Sequence, residues 1–440
     1  MMTFRDASEY LLGTINETAS RRNPQRLERM AALLRNLGDP HVAYPTIHVG
    51  GTSGKGSTCT MMAAALTAAG RVTGLHTKPH LSSMTERARV DGRAVTEDDF
   101  ARLLDEMMPA LQATAREFGR PSYYETLLAL AFAYFREAAV DVAVIEVGVG
   151  GMLDGTNLVR PETSIITNVG LDHTEILGET VELIARDKAG IAKAGVPLIS
   201  DASGGAREVI EAACGRVGAP FIAVTERAVI TARAGERYGQ SFDVTTPDAT
   251  YALDLPVLGR FQQRNAATAI VALETLRAGL RPSPADVERG LANLVIPGRM
   301  EFFPAHPAVV FDVAHNPDKA RGLAEALRET FPGRRFTFVI AVSDEKDALG
   351  VLTPLFELPS SYIFTAFELP GRTSTRPTRL ANMAEQRGFS ARAIGEPVEA
   401  LAIARRNADA ADLVVVTGST FVVGTLRDWW LANVAERSRH

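Results

Sequence analysis

A glycine-rich octet, GTSGKGST at residues 51–58, carries the residue types that bind phosphate. Glycines let successive backbone N–H groups turn toward phosphate oxygens, and a helix that follows adds partial positive charge at its N-terminus. Within the octet, Gly54, Lys55, Gly56, Ser57 and Thr58 form the candidate loop. Lys55 would reach the terminal phosphates, and Ser57 or Thr58 offers a hydroxyl to Mg²⁺. The general pattern G-x-x-x-x-G-K-[ST] is not met: Val49 stands at its first glycine, and Gly56 separates Lys55 from Ser57. Alone, the octet predicts binding of a nucleoside triphosphate, the plain alternative being a glycine turn with an exposed lysine.

Further residues with chemical potential fall at the ends of apolar runs. Glu146 closes the run at 142–146 and precedes glycines, a place where an unpaired charge would be costly to bury. A metal or phosphate site would explain it. His173, preceded by Asp172, follows the next apolar run and is taken as a ligand with Glu146, although Mg²⁺ ordinarily prefers oxygen donors. Lys188 has no distinguishing feature by itself. Asp312 ends a run at 309–312, where a carboxylate often meets a ribose hydroxyl or a metal. Arg299 sits in a Pro-Gly-Arg turn, and Gly418 with Ser419 makes another glycine turn able to offer N–H groups to an anion.

These residues need elements to hold them. The run at 45–50 reads as a buried strand, and residues 59–69 as a helix closed by Gly70. Two helices are expected over 6–38, interrupted near Asn23 and Pro24. Thr96 starts another helix, which Pro109 should kink or end, and Ser122 starts an apolar one through Phe135. Strands at 72–77, 142–146 and 163–168 alternate with helices, which implies a parallel sheet with sites at its C-terminal edge. Alternating Val, Ile and Thr between 224 and 255 predicts a small antiparallel set at the edge of this unit. Beyond a boundary near 296–299, strands at 309–313, 336–342, 362–367 and 413–417 make a second α/β unit. The fold class is therefore α/β: a P-loop-type, mostly parallel sheet domain with a small antiparallel edge over 1–297, then a smaller Rossmann-like α/β domain over 298–440. The tail at 435–440 is expected to fray.

Composition narrows the class. The 440 residues are 46% hydrophobic and 22% charged, ordinary for a globular protein of two domains. A net charge of −5 gives no global pull toward nucleic acid or anionic membrane. Two cysteines, Cys59 and Cys214, cannot build a disulfide framework, and no apolar run approaches bilayer length. A cytoplasmic protein without nucleic-acid or membrane partners is expected.

Together the motifs resemble those of the folylpolyglutamate synthase and dihydrofolate synthase family, within the Mur ligase superfamily. They are, in order, IHVGGTSGKGST at 47–58, TKPHL at 77–81, YYE at 123–125, EVGVGGMLDGTN at 146–157, LDHTEILG at 171–178, DKAGI at 187–191, GRFQQRNAA at 259–267, PGR at 297–299, DVAHNP at 312–317 and GS at 418–419. The resemblance covers essentially the whole chain through Gly424. It implies an ATP-dependent amide ligase, with ATP between two domains and an acyl phosphate attacked by the amine of L-glutamate. The acceptor it implies is tetrahydrofolate, with dihydropteroate as a second. By the same resemblance Ser57, Glu146 and His173 are Mg²⁺ ligands, and Lys188 matches a lysine that is carbamylated in relatives. Asn265, Arg299 and Asp312 match positions that contact adenine, phosphate and ribose. His315 and Ser419 match positions that handle the incoming glutamate, with Lys55, Lys188 and His315 as the catalytic set. Ser122, Tyr123, Tyr124, Glu125 and Leu153 match the region that holds the pterin-bearing substrate. Relatives are commonly monomeric.

The sequence departs from the family at several positions. Lys78 stands where relatives typically carry a serine that contributes to a second magnesium site. An ammonium cannot ligate Mg²⁺, so that site is lost or its charge is replaced by Lys78, and activity through one metal is expected. Ser53, Met152 and Phe261 replace a common Asn, Arg and His. Two other readings compete: a different Mur-type amino-acid ligase, and a folate- or nucleotide-binding paralogue impaired in catalysis through Lys78.

Overall fold

The computed structural model describes residues 2–15, 25–234, 239–369 and 372–435. The interruption expected near Asn23 and Pro24, and the fraying expected over 436–440, lie outside the described residues. The first sheet is built from β1 (Thr46–Gly50), β2 (Thr73–His76), β3 (Arg89–Val90), β4 (Arg93–Ala94), β5 (Val142–Glu146), β6 (Pro161–Ile166), β7 (Leu198–Ser200) and β8 (Phe221–Ala223). Its spatial order is β4-β3-β2-β5-β1-β6-β7-β8. The six strands from β2 to β8 run parallel, and β3 and β4 add an antiparallel edge. β1 and β5 are buried along their whole length, which is why they read as unbroken apolar runs rather than alternating ones.

Alternation survives in which way the side chains face. Val142 and Val144 pack with the helix Lys55–Ala68, whereas Ala143 and Ile145 pack with the helices Glu97–Phe118 and Tyr123–Glu137. Each of the fully buried Val and Ile side chains contributes roughly 1.5–3 kcal/mol, so the sheet is clamped from both sides. Pro109 does not end its helix. Glu97–Phe118 runs unbroken for 22 residues, with Pro109 on its exposed side. The carbonyl that Pro109 leaves without a donor therefore faces water, while Leu104, Met107 and Leu111 stay buried on the other face.

The run between 224 and 255 forms a sheet of its own. β9 (Val229–Ala232), β10 (Gln240–Thr245) and β11 (Thr250–Leu255) are antiparallel, in the order β11-β10-β9. Phe242, Val244, Tyr251 and Leu253 bury one face of it against the core shared with Lys55–Ala68 and Phe261–Glu274.

The second large unit comprises β12 (Glu301–Phe303), β13 (Ala308–Phe311), β14 (Phe336–Ile340), β15 (Ser360–Phe364), the small pair β16 (Glu368–Leu369) and β17 (Arg372–Thr373), then β18 (Ala391–Ala393) and β19 (Leu413–Thr417). Six of these form a sheet in the order β12-β13-β19-β14-β15-β18, parallel except for β12. The fold is thus a large, mostly parallel α/β unit followed by a smaller one. No helix among the described residues is long and apolar enough to cross a membrane.

Candidate active site

Strand register assembles the first wall of the site. In the centre of the large sheet Val49 of β1 lies opposite Glu146 of β5, and Gly50 lies opposite Ile166 of β6. The loops that follow these three strands must therefore meet, at the point where strand order reverses. The glycine loop is the middle one. Its helix begins at Lys55, four residues earlier than the sequence suggests, because Gly54 takes the left-handed conformation (φ 81°) as N-cap. A β-carbon on Gly54 would come within 2.3 Å of Asn265 Oδ1, so the position has room only for glycine.

The neighbouring loops grip this one. Asn168 Oδ1 accepts from the Ser53 amide at 2.8 Å, and Thr167 donates its hydroxyl to the Ser53 carbonyl at 2.7 Å. Lys55 Nζ donates to the Gly51 and Thr52 carbonyls at 2.9 and 3.1 Å, and Lys188 Nζ to the Gly51 carbonyl at 2.8 Å. Lys188 is buried at the end of the helix Val181–Lys188. Burial, reinforced by the positive charges of Lys55 and Lys78, pushes its amine down to about 7. Glu146 Oε2 accepts from the Lys78 amide at 2.9 Å, and a β-carbon on Gly56 would come within 3.4 Å of the same oxygen.

His173 caps the short helix Thr174–Leu177 with φ 50°, and its Nδ1 lies 3.6 Å from Glu175 Oε1. Among the described residues no three His, Cys, Asp or Glu side chains converge as a ready-made metal cage. The donors that do line the cleft, the Ser57 hydroxyl and the Glu146 carboxylate, suit a cation that keeps waters and takes its remaining oxygens from phosphate.

The second wall comes from the smaller sheet. Phe311 of β13 pairs with Val416 of β19, bringing Asp312 beside the turn at Gly418 and Ser419. Asp312 is buried, and its two oxygens accept from the Met300 and Ala314 amides, each at 2.9 Å. Burial raises its carboxyl above the usual range despite Arg299 nearby. His315 bonds the Val313 carbonyl through Nδ1 at 2.8 Å, which places its Nε2 lone pair 3.3 Å from Lys319 Nζ. Burial, then the Lys319 charge, pushes His315 down to about 3, so its imidazole is neutral at physiological pH.

One cleft of about 2430 Å³ joins the walls, and Lys55, Ser57, Glu146, His173 and Lys188 line it together with Asn265, Arg299, Asp312, His315 and Ser419. Only Thr58 of the expected loop residues turns away, fully buried beneath it. At the far end Ser122, Tyr123, Tyr124, Glu125 and Leu153 also line the cleft. Ser122 and Glu125 form a capping box for the helix Tyr123–Glu137, and Arg29 grips Glu125 with four bonds of 2.9–3.2 Å. Glu125 therefore anchors the helix that presents the tyrosines. Tyr124 donates to Asp154 at 3.0 Å, and Asp154 accepts from Thr156, whose hydroxyl meets His48 Nε2 at 2.8 Å.

Several cleft residues were not singled out from sequence. Lys319 lies on the first turn of the helix Pro317–Thr330, one turn beyond His315 and three residues after the N-cap Asn316. Asn316 also reaches Asp172 of the opposite wall at 3.5 Å. Burial raises the Asp172 carboxyl, but Lys319, His173, Lys55 and Lys188 together hold it below its ordinary value. Arg87 is buried over the Tyr123 ring, 5.5 Å from its centre, with Nε on His80 at 3.0 Å. The helix-start pattern Asn316-Pro317 was the one available signal for Lys319; Arg87 had none.

A phosphate loop, a two-walled cleft and two α/β units define a nucleotide-dependent ligase of the Mur type. The Mur ligase middle domain matches residues 49–273, and the Mur ligase glutamate ligase domain matches 298–420. The chain is 31% identical over 407 residues to the dihydrofolate synthase/folylpolyglutamate synthase of Bacillus subtilis, covering 91% of this chain and 94% of that one. It is 36% identical over 416 residues to a probable bifunctional folylpolyglutamate synthase/dihydropteroate synthase of Haloferax volcanii, covering 93% of this chain but 49%, about half, of that protein. Its structure is similar to Mycobacterium tuberculosis folylpolyglutamate synthase complexed with ADP, with a TM-score of 0.89, 30% identity and 97% and 98% of the two chains covered. The chain belongs to the folylpolyglutamate synthase/dihydrofolate synthase family of the Mur ligase superfamily.

Proposed function

We infer that this protein is an ATP-dependent ligase that adds L-glutamate to folates, with tetrahydrofolate and dihydropteroate as acceptors. The observation that carries this is the single cleft in which the glycine loop and Glu146 face Asp312, His315 and Ser419. In this reading residues 1–297 form the ATP-binding lobe and 298–440 the glutamate-ligating lobe. A single chain supplies both walls, in keeping with action as a monomer.

ATP lies with its triphosphate on the loop at 54–57 and toward Arg299, and its adenosine toward Asn265 and Asp312. The acceptor's carboxylate attacks the γ-phosphorus, ADP departs, and an acyl phosphate results. The glutamate amine attacks the acyl carbon, phosphate leaves with the C–O bond, and the amine proton passes to solvent. Lys55 follows the charge on the transferred group, where a preorganised cation contributes most. Ser57, Glu146 and His173 would hold Mg²⁺, which supplies neutralisation of phosphate charge when bound. Lys188, with its amine held near neutrality, is suited to react with CO₂, because only the uncharged amine is nucleophilic. The resulting carbamate would give an anion at the floor of the site. His315 and Ser419 orient the glutamate, and Tyr123, Tyr124 and Leu153 hold the pterin-bearing end.

The test is to incubate the purified chain with ATP, Mg²⁺, bicarbonate and L-glutamate, offering dihydropteroate and tetrahydrofolate separately. Glutamate-dependent ADP release and a product one glutamate heavier by mass spectrometry are expected with each acceptor. Background ADP release with both would overturn the assignment, and would favour a binding protein without catalysis.

A further inference from the structure

Lys78 lines the cleft half-buried, and its side chain makes no hydrogen bond or ion pair among the described residues. Its neighbours are committed differently. Lys55 and Lys188 donate to loop carbonyls, and Lys319 lies against His315. A partly desolvated ammonium with no partner is costly to keep unless an anion meets it.

The backbone of Lys78 is fixed just where the carboxylate of the site is used. Its amide donates to Glu146 Oε2 at 2.9 Å, and the bare Cα of Gly56 runs beside the same oxygen. Oε2 therefore holds the Lys78 amide, and a side chain at position 56 would crowd the same oxygen. Around the Lys78 ammonium, Glu146 and Asp154 attract and Lys55 and Arg87 repel. A second divalent cation on Glu146 would have to share this space with a fixed positive charge.

We propose that Lys78 is a built-in counter-ion for the phosphoryl group being transferred, so that the site takes one divalent cation per nucleotide. This rests on the ligase reading given above. The ammonium meets the oxygens of the terminal phosphate together with Lys55, and moves no proton and forms no covalent bond. Nucleotide is then held by one exchangeable cation and one covalently attached cation, and the second cannot be removed by chelation.

The experiment counts metal. The intact protein is saturated with the non-hydrolysable analogue AMPPCP, and bound Mn²⁺ per complex is determined by electron paramagnetic resonance. One Mn²⁺ is expected for the wild type and for Lys78→Arg, which keeps the charge. Lys78→Ser removes the charge and supplies a neutral oxygen donor beside Glu146, so two Mn²⁺ are expected. Lys78→Met, neutral and without an oxygen, should retain one and bind AMPPCP roughly tenfold more weakly, as for loss of one charged contact. Two Mn²⁺ in a wild type that binds nucleotide would overturn the proposal and leave the ligase reading intact. One Mn²⁺ in Lys78→Ser together with unchanged AMPPCP affinity in Lys78→Met would do the same. A wild type that binds neither AMPPCP nor Mn²⁺ would overturn the ligase reading and this proposal with it.

Discussion

The two walls of the cleft are built on opposite plans. The phosphate wall is tied by side chains that arrive from far away in sequence: Asn168 and Thr167 reach Ser53 across 115 and 114 residues, and Lys188 reaches Gly51 across 137. All of them end on the backbone of the glycine loop. In the facing wall Asp312 is closed by amides two and twelve residues away, and His315 by a carbonyl two residues away. The first wall keeps its shape only while three strands keep their register. In the second the side chains are closed locally, and distant support comes to the backbone, where Gly418 and Thr417 of the β19 end donate to the Ala314 carbonyl. Under the proposed function the difference suits their tasks, since a loop that wraps a multiply charged leaving group needs bracing from more directions than a turn that presents a few polar atoms.

The strongest way to break this contrast is Lys188→Ala. The change removes the bond that holds the Gly51 carbonyl and, in the proposed mechanism, the carbamate as well. A fall of roughly 10²–10³-fold in kcat is expected, typical of losing a preorganised charged group from such a site. The KM for glutamate should stay within about threefold, because the facing wall is independent. Glutamate-dependent ADP release measures both. In CO₂-free buffer the wild type should slow and the variant should not. A variant with wild-type kcat would show that the phosphate wall needs neither the bond nor the carbamate.

Asp312→Asn strikes the wall whose side chains are closed locally, with a smaller expected effect. The substitution keeps the shape but turns an NH₂ group toward one of the two backbone N–H donors. One buried donor loses its acceptor, at about 1–3 kcal/mol. A lower denaturant midpoint with an unchanged slope would register this as loss of stability. If nucleotide affinity fell while the midpoint stayed fixed, Asp312 would act on the nucleotide alone and not as a brace, and the contrast between the walls would weaken.

How far the sequence discloses the site follows the same division. Glu146 and Asp312 are legible because each stands at the end of an apolar run, where a charge is conspicuous, and Lys55 because glycines flank it. Asn168, Thr167 and Arg87 are not, since their meaning depends on which strands lie side by side. Three-residue strands such as β7 and β8 give too short a pattern to read, and the charged stretch at 86–92 hides β3. The start of the loop's helix at Lys55 was obscured by Gly54 and Gly56, whose small size suggests a loop in either case. Pro109 misleads for a simple reason: it removes a hydrogen bond on the wet side of a helix whose dry side is packed. The family motifs named the residues of both walls, and the geometry adds how each is held.

Lys319 is the exception that joins the walls, and it supports the finest test. It belongs to the second wall, yet Asp172 of the first attracts its charge while Arg299, Lys55 and Lys78 repel it. Burial, the largest cause, pushes its amine down to about 8 from the ordinary value of 10.5. The unfolded chain therefore binds more protons than the folded one between about pH 8 and 10.5, and this lysine makes stability of the free protein rise with pH across that window. A triphosphate placed between the walls brings negative charge that favours the protonated amine, so the pKa returns upward on binding. Nucleotide binding near pH 9 should then take up about one proton from buffer at Lys319, in addition to any taken up by the other depressed lysines of the cleft, Lys78 and Lys188. Calorimetry in two buffers of different ionisation enthalpy reads the number directly. Lys319→Met should reduce the uptake, and the effect should shrink below pH 7, where the amine is already charged. Proton release on binding, or uptake unchanged in the variant, would mean that the second wall does not sense the phosphates, and that the two walls are coupled by shape alone.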